Sequence, residues 1–158
     1  MSATTDSRAP EVVVDAAAAA AVTLPLFRTG TTVDNKQQQH FDPVTIADRD
    51  AELAIREVIS AQFPTHAIIG EEHATKTGDS AYAWIIDPID GTRAFISGLP
   101  VWGTLIALND GGRAVIGIMD QPIIGERFVG TPEGAWLNSR PLKTRPCASL
   151  AEAVLYST

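Results

Sequence analysis

Four acidic residues stand in fixed order along this chain: Asp48 closing Asp42-Pro-Val-Thr-Ile-Ala-Asp48, Glu71 in Gly70-Glu71-Glu72, and Asp87 and Asp90 in Trp84-Ile-Ile-Asp-Pro-Ile-Asp-Gly-Thr92. Each sits at the end of an apolar element instead of along a polar face, so the carboxylates converge at one end of a sheet. Like charges at close range repel and raise one another's pKa, and such a cluster calls for cations. Magnesium suits it, since Mg2+ takes oxygen ligands in near-octahedral geometry and is usually held by a few carboxylates plus substrate phosphate. The chemistry available to two such ions is metal-assisted hydrolysis: activation of a water for in-line attack and stabilisation of the leaving oxygen. Thr92 is placed to position that water, and Asp48 to accept its proton.

Each element has a plainer reading on its own. Asp-Pro-x-Asp-Gly is turn composition on any protein. Glu71 and Glu72 are ordinary strand-end charges, and Asp48 suits the first turn of a helix. The coincidence of three such elements carries the reading. The apolar run Tyr82 to Ile86 delivers Asp87 to a sheet edge, Pro88 turns the chain, and the two carboxylates face one point within a tight turn. Gly91 lets backbone approach a ligand, and a helix starting near Thr92 presents amides to a phosphate.

The positioning elements follow from periodicity and breakers. Met1 to Ala9 are small and polar and read as a flexible terminus. An amphipathic, alanine-rich helix is expected from about Pro10 to Phe27, with Pro10 suiting its first turn. Thr31 to Pro43, with Lys36 and Gln37-Gln38-Gln39, reads as a loop or hairpin over the site. Thr45 begins a second helix whose Ala47, Ala51, Ala54, Ile55, Val58 and Ile59 recur at three-and-four spacing, and Pro64 ends it. Strands follow at Ala67 to Gly70, Tyr82 to Ile86, Val101 to Asn109, Arg113 to Asp120 and Glu126 to Val129. Asn109-Asp-Gly-Gly112 is a hairpin turn, so its flanking strands are antiparallel. Helices first and a meander after predict an α+β fold, helices packed on one face of a largely antiparallel sheet.

Bulk properties narrow the function classes. The chain has 158 residues, 45% of them hydrophobic, enough for one core. A net charge of -7 and a pI near 4.8, without a basic cluster, argue against a nucleic-acid partner. Asp15 interrupts the apolar stretch Val12 to Val22 and Glu11 precedes it, so neither a membrane span nor a signal peptide is expected. Cys147 is the only cysteine, which excludes an internal disulfide and makes a cytoplasmic setting the default expectation.

The three acidic segments together resemble the signatures of the inositol monophosphatase family, which includes histidinol-phosphatases and related magnesium-dependent phosphatases. The resemblance runs from about Phe27 to the end. It implies Glu71, Asp87 and Asp90 as metal ligands with the Ile89 carbonyl, Asp48 and Thr92 as the catalytic pair that activates water, Gly91 and Thr92 amides as the phosphate cradle, and Lys36 reaching the site from its loop. It also implies Mg2+ as cofactor, a small phosphorylated metabolite as partner, and a homodimer, as is common among relatives. Gly117-Ile-Met-Asp-Gln-Pro122 and the turn Gly134-Ala-Trp-Leu-Asn138 fit the same pattern. Phe95-Ile-Ser-Gly-Leu-Pro100 and Gly103-Thr-Leu-Ile-Ala-Leu108 are more similar to bacterial histidinol-phosphatases, so histidinol phosphate, and with it histidine biosynthesis, is the favoured expectation. Inositol 1-phosphate or another small sugar or nucleotide phosphate is the alternative.

The departure lies at the C-terminus. Family members carry a further metal-binding aspartate in Trp-Asp-x-Ala-Ala-Gly on a second α/β half, and Ala151 to Tyr156 resembles the strand entering it. The expectation is therefore that residues 10–158 are the N-terminal α+β metal- and phosphate-binding part of the layered αβαβα sugar-phosphatase fold, without its C-terminal half. A catalytically incompetent fragment that binds metal or a partner is the reading from another class.

Other chemistries fit less well. A haloacid dehalogenase-type phosphatase needs its second aspartate two residues after the first, whereas Asp87 and Asp90 are three apart. A cysteine phosphatase needs an arginine where Ala153 stands. There is no P-loop or Rossmann glycine pattern, and His40, His66 and His73 lack metal-ligand spacing.

Overall fold

The computed structural model describes residues 16–30, 32–36 and 43–154. The expected loose terminus, the start of the first helix at Pro10 and the glutamine run lie outside the described residues.

Helix α1 (Ala17–Leu26) is apolar all round and not amphipathic. It packs on α2 (Ile46–Gln62) through small side chains: Ala16, Ala19, Ala47 and Ala51 are all fully buried. Alanine there loses no side-chain entropy and lets two helix backbones approach. Helix α2 starts where Thr45, extended at φ -122°, accepts from the Ala47 amide and Asp48 returns a bond to the Thr45 amide. This reciprocal capping satisfies donors that the first turn leaves open. The buried face carries Ala47, Asp48, Ala51, Glu52, Ile55 and Ile59. Two carboxylates therefore occupy an otherwise apolar stripe.

Two sheets complete the fold. Strands β1 (Val33–Asn35) and β2 (Pro43–Thr45) form an antiparallel pair leading into α2. The larger sheet has seven strands in chain order: β3 (Ala67–Gly70), β4 (Ala83–Asp90), β5 (Gly103–Asn109), β6 (Ala114–Gln121), β7 (Glu126–Thr131), β8 (Gly134–Leu137) and β9 (Arg140–Leu142). Only β3 and β4 run parallel; every later pairing is antiparallel. Ile68, Trp84, Ile86, Ile106, Leu108 and Ile118 face the helices and form one core with Ile55 and Ile59. Full burial of each such side chain stabilises by about 1.5–3 kcal/mol. The opposite face carries Ile69, Ile85, Leu105, Ala107 and Met119, which with residues of β7 and β8 line a cavity of about 710 Å³. Helices on one face of a largely antiparallel sheet is the architecture the sequence predicts.

Three local expectations need correction. Pro88 does not break the strand, because β4 continues to Asp90. Its pairing with β3 has already ended at Ile86, so the missing N–H removes no ladder bond on that side. On the other side, pairing steps from Asp87↔Leu105 to Asp90↔Gly103, leaving Pro88 and Ile89 opposite Thr104 alone. This is a β-bulge, and the Thr104 hydroxyl donates to the Pro88 carbonyl at 2.8 Å. Second, Gly134-Ala-Trp-Leu is a strand, β8, turned into β9 by Asn138 and Ser139, both at positive φ (46° and 67°). Positive φ at both central residues fits a two-residue hairpin. Third, Leu150–Glu152 forms a 3-10 turn where a strand is expected. Residues 155–158 lie outside the described residues. No described helix is long and apolar enough to cross a membrane.

Candidate active site

Asp48 is 1% exposed, and all its bonds are directional. Its Oδ2 accepts from the Thr45 amide at 2.8 Å and the Thr45 hydroxyl at 2.6 Å, which leaves Oδ1 for the Thr92 hydroxyl at 3.3 Å. Burial pushes the Asp48 carboxyl above its ordinary pKa, against the bonds from Thr45 and Thr92 that favour the charged form. Thr92 Oγ1 also lies 3.1 Å from the Ile89 carbonyl. A hydroxyl has one proton, so Thr92 serves these two acceptors in turn. The pair expected to activate water stands together.

Thr92 is held by a glycine and an aromatic cluster. Gly91 adopts φ +89°, which strains any L side chain, and a Cβ there would sit tightly against the Val101 carbonyl at 3.3 Å. It caps the short helix α3 (Thr92–Ile96), where Phe95 packs against Phe27 and Trp102 with ring centroids 5.5 and 5.0 Å away. Arg28 adds two bonds from its guanidinium to the Gly98 carbonyl at 2.9 and 2.7 Å. Asp90, Gly91, Thr92, Trp102 and Gln121 line a cavity of about 600 Å³.

The residues expected to ligate metal gather where β3 and β4 end. Gly70 pairs with Ile86 in the parallel register, which sets Glu71 beside Asp87. Asp87 Oδ1 is buried and accepts no hydrogen bond among the described residues. Burial first, then the neighbouring carboxylates of Glu71 and Asp90, push Asp87 up to about 7. In a regular strand, residues three apart point to opposite faces. The bulge at Pro88 and Ile89 re-phases the alternation, so Asp90 returns to the side Asp87 occupies.

Glu71 is turned towards a different cation. The Lys36 ammonium bridges Glu71 Oε1 at 2.8 Å and Glu72 Oε1 at 2.6 Å, which brings this loop residue beside both glutamates. Burial works to lower the Lys36 pKa, but hydrogen bonds and charge from both glutamates outweigh it and hold the ammonium above its usual range. Burial likewise raises Glu72, with Lys36 opposing. With the side chains so arranged, no three His, Cys, Asp or Glu groups among the described residues already form a metal cage. The donors nevertheless fit a hard divalent cation: they are carboxylate and carbonyl oxygens, and the Asp87 oxygen is buried without a partner.

Three supporting residues escape the sequence reading. Thr45 fixes Asp48 with both its amide and its hydroxyl. Thr104 fills the bulge between the two aspartates. Glu52, fully buried one turn after Asp48, accepts from the Glu72 amide at 2.7 Å and the His73 amide at 3.3 Å. Its signal was present: a carboxylate four residues from Asp48 on the apolar stripe of α2 cannot be a solvated surface charge.

The sequence profile of the inositol monophosphatase family matches residues 7–158. The chain belongs to that family. It is 44% identical over 128 residues to a bifunctional phosphatase, IMPL2, of Arabidopsis thaliana, a match covering 79% of this chain and 37% of the relative. It is 40% identical over 117 residues to a histidinol-phosphatase of Chlorobaculum parvum, covering 73% and 45%. Among solved structures it superposes on an inositol monophosphatase of Zymomonas mobilis with a TM-score of 0.68 and 44% identity, over 84% of this chain and 50% of that one. The chain thus spans half or less of the length of these relatives, and the fold described corresponds to about half of the solved inositol monophosphatase.

Proposed function

We propose that this chain is the metal- and phosphate-binding part of a Mg2+-dependent phosphomonoesterase, with histidinol phosphate as the favoured substrate. The observation that carries the reading is the Thr92 hydroxyl on Asp48 Oδ1 at 3.3 Å, adjoining the carboxylates of Glu71, Asp87 and Asp90. These three carboxylates and the Ile89 carbonyl would hold Mg2+, whose chemistry there is Lewis-acid activation of water and neutralisation of phosphate charge. Gly91 and Thr92 bind the phosphate through backbone amides at the start of α3. Thr92 gives its proton to Asp48 and keeps lone pairs free to accept from the attacking water, which aligns that water and passes its proton towards Asp48. Burial of Asp48 raises its basicity for this role. The bond formed is from water oxygen to phosphorus, the bond broken is from phosphorus to the alcohol oxygen, and the products are the alcohol and inorganic phosphate.

Histidinol phosphate is favoured by the likeness to a histidinol-phosphatase and by the segment Phe95 to Leu108. Inositol 1-phosphate or another small sugar or nucleotide phosphate is the second reading, favoured by 44% identity to an inositol monophosphatase. A cytoplasmic, homodimeric enzyme belongs to the same proposal. The test is phosphate release from histidinol phosphate, inositol 1-phosphate and an aryl phosphate at varied Mg2+, with Asp90→Asn alongside. Magnesium-dependent turnover lost in Asp90→Asn is expected. Absence of turnover at every Mg2+ concentration would overturn it for this chain and leave a metal-binding fragment, a reading consistent with its covering half of the solved relative.

A further inference from the structure

We infer that Glu52 is a positioning residue, which clamps the Gly70–His73 turn so that Glu71 is held in fixed relation to Asp48. The inference rests on the reading of Glu71 as a metal ligand. Glu52 is fully buried yet charged, and each of its oxygens is committed: Oε2 to the Glu72 amide at 2.7 Å, Oε1 to Arg56 Nε at 2.7 Å and to the His73 amide at 3.3 Å. Arg56 then donates to the His73 carbonyl at 3.2 Å, and the His73 ring meets the Arg49 carbonyl at 3.0 Å. The turn after β3 is therefore gripped from α2 at both amides and at a carbonyl.

Stability alone does not account for this arrangement. A buried ion pair recovers little more than its desolvation cost, and apolar residues of similar volume often serve a helix as well or better. What apolar residues cannot do is fix two successive amides of a neighbouring turn. Gly70 completes the fit, since a Cβ there would fall inside the Glu52 carboxylate. Glycine is needed at this position for close approach, not for its φ.

Asp48 and Glu52 lie four residues apart on one helix face, where side chains are neighbours. One rigid helix thus holds Asp48, which addresses Thr92, and one turn later the group that sets Glu71. Groups that orient metal ligands typically change affinity 10- to 100-fold when mutated.

The test uses Glu52→Gln, which keeps the volume and removes the charge, with Mn2+ as probe. Titration followed by electron paramagnetic resonance should show Mn2+ affinity falling about 10- to 100-fold. Amide hydrogen exchange at Glu72 and His73 should accelerate by about 10-fold or more, as expected for a lost charge-assisted bond. Ile59→Val, buried on the same helix, should lower stability while leaving both readouts unchanged. Wild-type affinity and exchange in a folded Glu52→Gln, or equal weakening in Ile59→Val, would overturn the inference. Should Glu52→Gln not fold, Gly70→Ala decides on the same two readouts, loss supporting the clamp and wild-type values refuting it. If the wild-type chain binds no Mn2+, the metal reading falls, and exchange at Glu72 and His73 alone judges the clamp.

Discussion

Thr92 Oγ1 lies 3.3 Å from Asp48 Oδ1, joining the start of α3 to the first turn of α2 across 44 residues of sequence. The contact is long for an O–H···O bond, and the hydroxyl has a second acceptor in the Ile89 carbonyl at 3.1 Å. Its structural contribution is correspondingly small, so its loss separates chemistry from folding. Thr92→Val should cut turnover by about 10²- to 10⁴-fold with little change in melting temperature. Asp48→Ala should do the same and also cost about 1 kcal/mol through the lost helix cap. Steady-state kinetics beside thermal unfolding make the comparison, and a Thr92→Val enzyme with near-normal turnover would remove Thr92 from the mechanism.

Asp87 gives the metal-free chain a pH dependence of definite sign. Its pKa is raised from 3.8 to about 7, by burial first and then by Glu71 and Asp90, so the folded state binds the proton more tightly than the unfolded one. The contribution is fully present below about pH 4 and is lost as pH rises to about 7. Asp87→Asn removes that titration. The wild-type minus Asp87→Asn difference in urea midpoint should therefore decline across this window and be flat above it; a flat difference throughout would contradict the assignment.

On the proposed function, a divalent cation would address a carboxylate that Lys36 bridges. Lys36→Met leaves Glu71 and Glu72 without their bridging ammonium. For a partly exposed pair the cost is modest, about 1 kcal/mol or less. Added Mg2+ should then raise the melting temperature of Lys36→Met by more than that of wild type, because the ion no longer competes with the lysine. Equal shifts in the two proteins would show that lysine and metal do not share Glu71.

Gly91→Ala tests backbone conformation at the same site. The left-handed conformation at φ +89° and the approach of the Val101 carbonyl predict a loss of about 1–2 kcal/mol. For a chain of this size that is about 2–4 °C per kcal/mol in a calorimetric scan. An unchanged scan would mean that residue 91 can move freely.

The fold was legible wherever one physical rule dominated. The short apolar runs from β3 to β7, bounded by turn residues, and the spacing of Ile55 and Ile59 in α2 each have a single solution, as does the hairpin at Gly111, where φ is +92°. Reading failed where two rules competed. Pro88 signals a turn, but at the point where β3 has ended its missing donor is tolerated, and Thr104 accommodates the extra residue. Asn138-Ser139 lacks the glycine that marks a tight hairpin, so β8 and β9 went unseen. The carboxylates of the candidate site were legible in so far as the fold brings Glu71, Asp87 and Asp90 together. Two of their supports were not, because Glu52 and Thr104 act on backbone atoms of segments distant in sequence, which no local pattern records, whereas Thr45 acts on Asp48 three residues on, within a local capping pattern.

The aromatic packing around α3 gives the molecule an optical consequence. Trp84, Trp102 and Trp136 are all buried, in three different settings. Trp84 donates its indole N–H to His66 Nδ1 in the helix-facing core, Trp136 stands on β8 in register with Val129 and Ile118, and Trp102 lines the cavity shared with Thr92. Trp102 Nε1 has no hydrogen-bond partner among the described residues, so its indole emission responds to polarity changes in that cavity without a fixed bond to mask them. With Trp84 and Trp136 each replaced by Phe, the chain's own fluorescence becomes a reporter of occupancy beside Thr92, read without label and without turnover.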